Sequence, residues 1–183
     1  MTSAGSASPP GTGPQWLHVV GRKNHGKTTL VLALLEALRA RGLRVGSVKH
    51  TGHEHELDTP GKDSYRHRLA GASPVAMVSA QLTAVYLPDL DPDRPYDALA
   101  PLYAGCDLVL VEGHLEGPGP KVEVWRAAGG TPPLAGERAD IAALISDDDP
   151  ELPGAVPRWR RDDLDTLIGH LEAAGLIPGG GAG

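Results

Sequence analysis

Eight consecutive residues, Gly21-Arg22-Lys23-Asn24-His25-Gly26-Lys27-Thr28, have the types and spacing needed to hold phosphate. They match G-x-x-x-x-G-K-[ST] in full. The glycines let backbone N–H groups turn inward around phosphate oxygens, and a helix opening at the second glycine adds a favourable field. Lys27 is long enough to reach terminal phosphates, and the Thr28 hydroxyl suits Mg²⁺. Asn24, His25 and Thr29 complete the expected lining of the cradle.

A phosphate-bound metal needs a second acidic element on a neighbouring strand. Asp107-Leu108-Val109-Leu110-Val111-Glu112 offers a carboxylate at each end, about 16 Å apart at strand rise. In a parallel sheet the carboxyl end carries the site, so Glu112, followed by the permissive Gly113, is the expected Mg²⁺ partner. Asp107 is expected to be a strand-edge charge in solvent.

Lys49 and His50 end another strand and should face the same crevice. Asp58, Lys62, Asp63 and Arg66 surround the start of a short helix. With Lys49 and His50 they form a candidate second site for an anion or substrate. His50, His53 and His55, interleaved with Glu54, Glu56 and Asp58, have metal-ligand types. Their spacing in one polar loop fixes no fourth ligand, so a mobile loop accounts for them better. Asp147 lies just past a strand end, where a carboxylate can accept both N–H groups of a guanine edge. With Asp148 and Asp149 beside it, a solvated acidic turn fits the same residues.

Strands and helices must alternate to position these groups. Residues 16–20 read as a strand and 28–41 as a helix with Leu30, Val31, Leu34, Leu35 and Leu38 on one face, stopped by Gly42. Residues 43–49 give a second strand, and 63–70 a short helix after the Pro60-Gly61 turn. Two apolar runs, 74–79 and 82–87, can pair as a hairpin although no glycine marks the turn. Residues 98–103 read as a short helix, and 107–112, 121–125 and 141–145 as strands. Residues 161–174 read as a closing helix carrying Leu164, Leu167, Ile168 and Leu171. The expected fold is α/β, a P-loop NTPase-like three-layer arrangement: a mostly parallel sheet with helices on both faces and a β-hairpin addition.

The 183 residues suffice for one nucleotide-binding domain over 15–177. Residues 1–14 and 178–183 are Gly-, Ser- and Pro-rich tails expected to be disordered. The formal net charge of −6 argues against a general nucleic-acid binder. One cysteine, Cys106, excludes an internal disulfide and suits a reducing cytoplasm. No apolar stretch or leader-like start supports membrane insertion or secretion.

Together these residues resemble the molybdopterin-guanine dinucleotide biosynthesis protein B family. The resemblance rests on the P-loop, on Lys49-His50, and on Asp58-Thr59-Pro60-Gly61-Lys62-Asp63-Ser64-Tyr65 running to Ala70-Gly71-Ala72. It extends to Asp107–Gly113 and Lys121-Val122-Glu123. It implies a homodimer that binds GTP with Mg²⁺, hydrolyses it slowly at most, and assists the guanylyltransferase that attaches GMP to molybdopterin, with the molybdopterin cofactor itself a candidate ligand. The chain has no N-K-x-D segment, so GTP and ATP stay open as ligands on sequence alone. A metallochaperone GTPase, a small-molecule kinase and a pure binding adaptor are the alternative readings of the same P-loop.

Overall fold

The computed structural model describes residues 13–52, 57–87, 91, 94, 96–152 and 154–179. The chain forms two compact units, one of residues 1–50 with 102–183 and one of residues 51–101. Of the tails expected to be disordered, residues 1–12 and 180–183 lie outside the described residues, as do His53 and His55.

The first unit is built on a six-stranded sheet. Its strands are β1 (Gln15–Val20), β2 (Val45–Lys49), β5 (Leu108–Glu112), β6 (Lys121–Val124), β7 (Ile141–Ile145) and β8 (Arg158–Trp159). They lie in the order β2-β5-β1-β6-β7-β8, and every pairing is parallel. Buried parallel strands need apolar side chains on both faces, and Leu108, Val109, Leu110 and Val111 of β5 are fully buried.

Alternation along each strand divides the core in two. Leu17 and Val19 of β1, Leu108 and Leu110 of β5, and Val122 and Val124 of β6 point to one face. There they pack under helix α1 (Lys27–Ala40) and helix α4 (Leu164–Ala173). α1 contributes Leu30, Val31, Leu34 and Leu38 at helical spacing, and Gly42, with φ of 88°, ends it. The other face holds Val20, Trp125, Leu134, Ala135, Ile141 and Leu144. Toward its β2 edge Tyr103, from the short helix α3 (Ala100–Tyr103), meets Trp16 edge-on at 5.5 Å.

The second unit contains helix α2 (Asp63–Leu69) and the antiparallel pair β3 (Val75–Val78) and β4 (Thr83–Tyr86). The turn uses a hydroxyl where sequence offered no glycine. The Ser79 Oγ donates to the Leu82 carbonyl and accepts the Leu82 N–H, both at 2.9 Å.

Some local features differ from the sequence-based expectation. α4 begins at Leu164 instead of 161, because Asp147 takes the N–H groups of Arg161 and Asp162 at 2.8 and 2.9 Å. Asp163 then caps the helix by accepting the Thr166 N–H at 3.1 Å. β8 and the 3₁₀ turns Ala127–Gly129 and Leu134–Gly136 were not anticipated. The second turn is held by Glu123, fully buried on β6, whose two oxygens accept the N–H groups of Leu134 and Ala135 at 2.9 and 2.7 Å. Burial raises the Glu123 pKa, and these two N–H donors oppose that rise.

Candidate functional site

β1 ends at Val20, and the chain turns back over residues 21–26 before α1 begins at Lys27. That reversal requires positive φ at three places: Gly21 at 138°, Asn24 at 66° and Gly26 at 96°. Asn tolerates the left-handed region better than most side chains, which accounts for its place among the variable positions of the motif. Gly26 stands at the N-cap of α1 and offers no side-chain hydrogen bond to the helix. The first-turn N–H groups therefore keep no side-chain cap and remain suited to an anion.

The Lys27 ammonium lies across the mouth of this loop, donating to the carbonyls of Gly21 at 2.9 Å and Arg22 at 2.8 Å. Partial burial lowers its pKa, with Glu112 opposing the shift and Lys49 adding to it. Thr28 donates its hydroxyl to Glu112 at 2.6 Å. Lys49, at the end of β2, approaches the same Glu112 oxygen at 3.5 Å. The parallel register aligns Lys49 with Glu112 across the β2–β5 pair. A hydroxyl and a carboxylate side by side at the carboxyl edge of the sheet are hard oxygen donors of the kind Mg²⁺ takes. Gly113, with φ of 88°, lets the chain leave β5 beneath His50, whose carbonyl would stand 3.0 Å from an added Cβ.

Asp107, at the other end of β5, is not the solvated charge expected. Its Oδ2 accepts the Arg44 backbone N–H at 2.7 Å and its Oδ1 accepts Arg44 Nη2 at 2.8 Å, so it ties β2 to β5 at their amino ends. This partner, Arg44, three residues past Arg41, is visible only once the two strands are paired.

His25 is expected to line the cradle, and the structure shows how it supports the loop. It is buried, accepts the Arg126 N–H on Nδ1 at 3.1 Å, and contacts the Thr131 hydroxyl through Nε2 at 3.0 Å. An acceptor role for Nδ1 places the proton on Nε2. Burial lowers the His25 pKa, and the nearby Lys27, Arg126 and Arg22 charges lower it further. Burial also lowers His18 and His114, the latter stacked on His50 with ring centres 3.9 Å apart.

These three shifts share a sign. A histidine held neutral in the fold contributes stability that is present above its unfolded pKa, about 6.5, and is lost as pH falls through that value toward the lower folded pKa. Thermal melts should therefore show a lower melting temperature at pH 5.5 than at pH 7.5. An unchanged or higher melting temperature at pH 5.5 would contradict this reading of the three histidines.

The candidate second anion site divides between the two units. Lys49 and His50 stand beside the P-loop as described. Asp58, Lys62, Asp63 and Arg66 belong to the second unit, where Asp58 is buried and its Oδ1 accepts the Ser64 hydroxyl at 2.8 Å and the Thr59 N–H at 2.9 Å. Asp58 thus braces the start of α2. Asp63 and Arg66 make an exposed pair at 3.7 Å. Among the described residues no group of three or more His, Cys, Asp or Glu side chains has a metal-holding arrangement.

Asp147, the candidate base reader, uses Oδ1 for the two N–H groups before α4 and pairs through Oδ2 with Arg161 at 3.1 Å. Asp148 accepts the Ala127 N–H at 2.7 Å, and Asp149 pairs with Arg158 at 3.1 Å. The acidic turn is thus an organising hub for the loops after β6 and β8.

A cleft of about 550 Å³ lies over the P-loop, lined by Lys23, Asn24, Gly26, Lys27, Thr28, Thr29, Glu112 and Arg126. Six of these were expected from sequence; Lys23 and Arg126 were not assigned a role. The available signal for Arg126 was its place just beyond the carboxyl end of the strand next to β1.

The sequence pattern described as "Molybdopterin guanine dinucleotide synthesis protein B" (MobB) matches residues 16–147. The chain is 40% identical over 111 residues to the molybdopterin-guanine dinucleotide biosynthesis adapter protein of Escherichia coli, covering 59% of this chain and 63% of that one. It is 38% identical over 112 residues to the adapter protein of Haemophilus influenzae, covering 60% and 62%. The alignments thus span a little under two thirds of the length of these curated relatives. Among solved structures, Bacillus subtilis MobB superposes with a TM-score of 0.66 at 26% identity, covering 90% of this chain and 99% of that one. A MobB homologue from Bacillus stearothermophilus gives 0.58 at 31% identity, covering 87% and 96%.

Proposed function

This chain belongs to the molybdopterin guanine dinucleotide synthesis protein B family, and from that premise we propose that it is an adapter that binds GTP with Mg²⁺ and assists attachment of GMP to molybdopterin. The observation that carries the reading is the facing of Thr28 and Glu112 at 2.6 Å beside Lys27, at the open N-terminus of α1. That grouping supplies what a nucleoside triphosphate needs: backbone N–H groups for its phosphates, an ammonium for its charge and oxygen donors for its metal. Relatives named as adapter proteins of molybdopterin-guanine dinucleotide biosynthesis support the choice of process.

In this reading Thr28 and Glu112 hold Mg²⁺, which would neutralise charge on the terminal phosphates. Gly21, Asn24, His25, Gly26, Lys27 and Thr29 frame the phosphates. Hydrolysis is slow at most, and the nucleotide-loaded form serves a guanylyltransferase. The adapter works in the cytoplasm as a homodimer, and Lys62 and Arg66 of the second unit provide cationic groups for a second anionic ligand such as molybdopterin. Among the described residues no helix is long and apolar enough to cross a membrane.

The test is a calorimetric comparison of GTP with ATP, each with Mg²⁺. The reading expects binding with a clear preference for GTP, and an equal or stronger response to ATP would remove the guanine assignment.

A further inference from the structure

Two guanidinium groups converge on the P-loop from the β6–β8 side. A Cβ placed on Gly26 would stand 3.1 Å from Arg161 Nη1, 3.7 Å from Arg126 Nε and 3.8 Å from Arg126 Cζ. Like charges this close need compensation. Arg161 has it, in the 3.1 Å pair with Asp147. Arg126 forms no ion pair with a carboxylate among the described residues; Nη2 donates to the Asn24 carbonyl at 2.6 Å, and Nε is buried without a hydrogen-bond partner. A half-buried guanidinium with spare donors, lining the same cleft as Lys27 and Thr28, is matched to an anion that arrives with the ligand.

The backbone around it is fixed in advance. The Arg126 N–H donates to His25 Nδ1 at 3.1 Å, and the neighbouring Trp125 indole donates to the Thr131 carbonyl at 2.7 Å. The loop after β6 is thus locked to the P-loop through a buried histidine, and little ordering remains to be done when a ligand enters.

Position then says which phosphate it meets. Glu112 and Lys49 stand on the β5 and β2 side of β1, whereas Arg126 follows β6 on the opposite side. Thr28 and Glu112 would hold a metal that neutralises charge on the terminal phosphates, so the flank across the P-loop from Glu112 would receive the other end of the nucleotide.

We propose that Arg126 is a ligand-binding residue that contacts the α-phosphate of the bound nucleotide and so fixes its direction across the P-loop. This rests on the GTP·Mg²⁺ reading above and adds a residue and a polarity to it.

The experiment titrates wild type, Arg126→Gln and Arg126→Lys with GTP, with GDP, and with the two diastereomers of α-thio-GTP, all with Mg²⁺. A melt of each unliganded variant checks that it is folded. Arg126→Gln is expected to weaken GTP and GDP by the same factor, roughly tenfold, with Arg126→Lys intermediate. Wild type should discriminate between the thio diastereomers, because sulfur replaces one of two inequivalent α-oxygens, and Arg126→Gln should erase that preference. A merely structural role at the Asn24 carbonyl would weaken binding but leave the preference intact, and that result overturns the proposal. A loss confined to GTP also overturns it, by placing Arg126 on the γ-phosphate. Wild type that binds none of these ligands would sink the nucleotide reading itself, and the proposal with it.

Discussion

Lys27→Ala is expected to lower the affinity for GTP with Mg²⁺ by roughly a hundredfold while leaving the fold intact, on the scale of about 3 kcal/mol for charge-assisted hydrogen bonds to phosphate. The ammonium now donates to the Gly21 and Arg22 carbonyls, and it stands where burial lowers its pKa. Deleting it removes both the two hydrogen bonds and the cost of partly desolvating a cation, so the unliganded melting temperature should move little. Calorimetry together with a melt separates the two effects. Unchanged GTP affinity in a folded variant would show that Lys27 does not meet the phosphates.

Gly21→Ala is expected to damage fold and site together. Its φ of 138° lies where L side chains are strained, and an added Cβ would stand 2.5 Å from the Val124 carbonyl oxygen on neighbouring β6. Backbone in a buried parallel sheet cannot move aside as a side chain can. Strain and overpacking each cost on the order of 1–3 kcal/mol, which for a chain of this size corresponds to roughly 5–15 °C in melting temperature. Nucleotide binding should fall as well, because the residue begins the phosphate loop. Gly42→Ala is the matched comparison: φ is again positive, at 88°, but nothing lies within 4 Å of the added Cβ. If the two alanine variants melt at the same temperature, the close approach to β6 has no energetic consequence and this account of Gly21 fails.

The phosphate loop was legible because all its parts are local: an apolar strand, glycines at fixed spacing, a lysine and a threonine, then a helix with one apolar face. Glu112 was legible for a related reason. Parallel β5 brings its carboxyl end to the end of β1, and the register pairs Val19 with Glu112. Arg126 was not, since its relation to Asn24 and His25 spans about a hundred residues and exists only once β6 lies beside β1. β8 is two residues long, and Arg158 and Trp159 form no apolar run. Its placement depends on Leu144 donating to the Pro157 carbonyl at 2.9 Å, and Ser146 to the Trp159 carbonyl at 2.9 Å. Asp107 illustrates the opposite error. A carboxylate at a strand end reads as solvated, yet Arg44, immediately before the neighbouring strand β2, engages both its oxygens.

The most direct test of the central claim is isothermal titration of the wild-type chain with GTP and with ATP in the presence of Mg²⁺. The account predicts saturable binding of GTP, weaker binding of ATP, and loss of the GTP response when Mg²⁺ is chelated, since Thr28 and Glu112 would then have no metal to share with the phosphates. ATP binding as tight as GTP, or GTP binding indifferent to Mg²⁺, would contradict it.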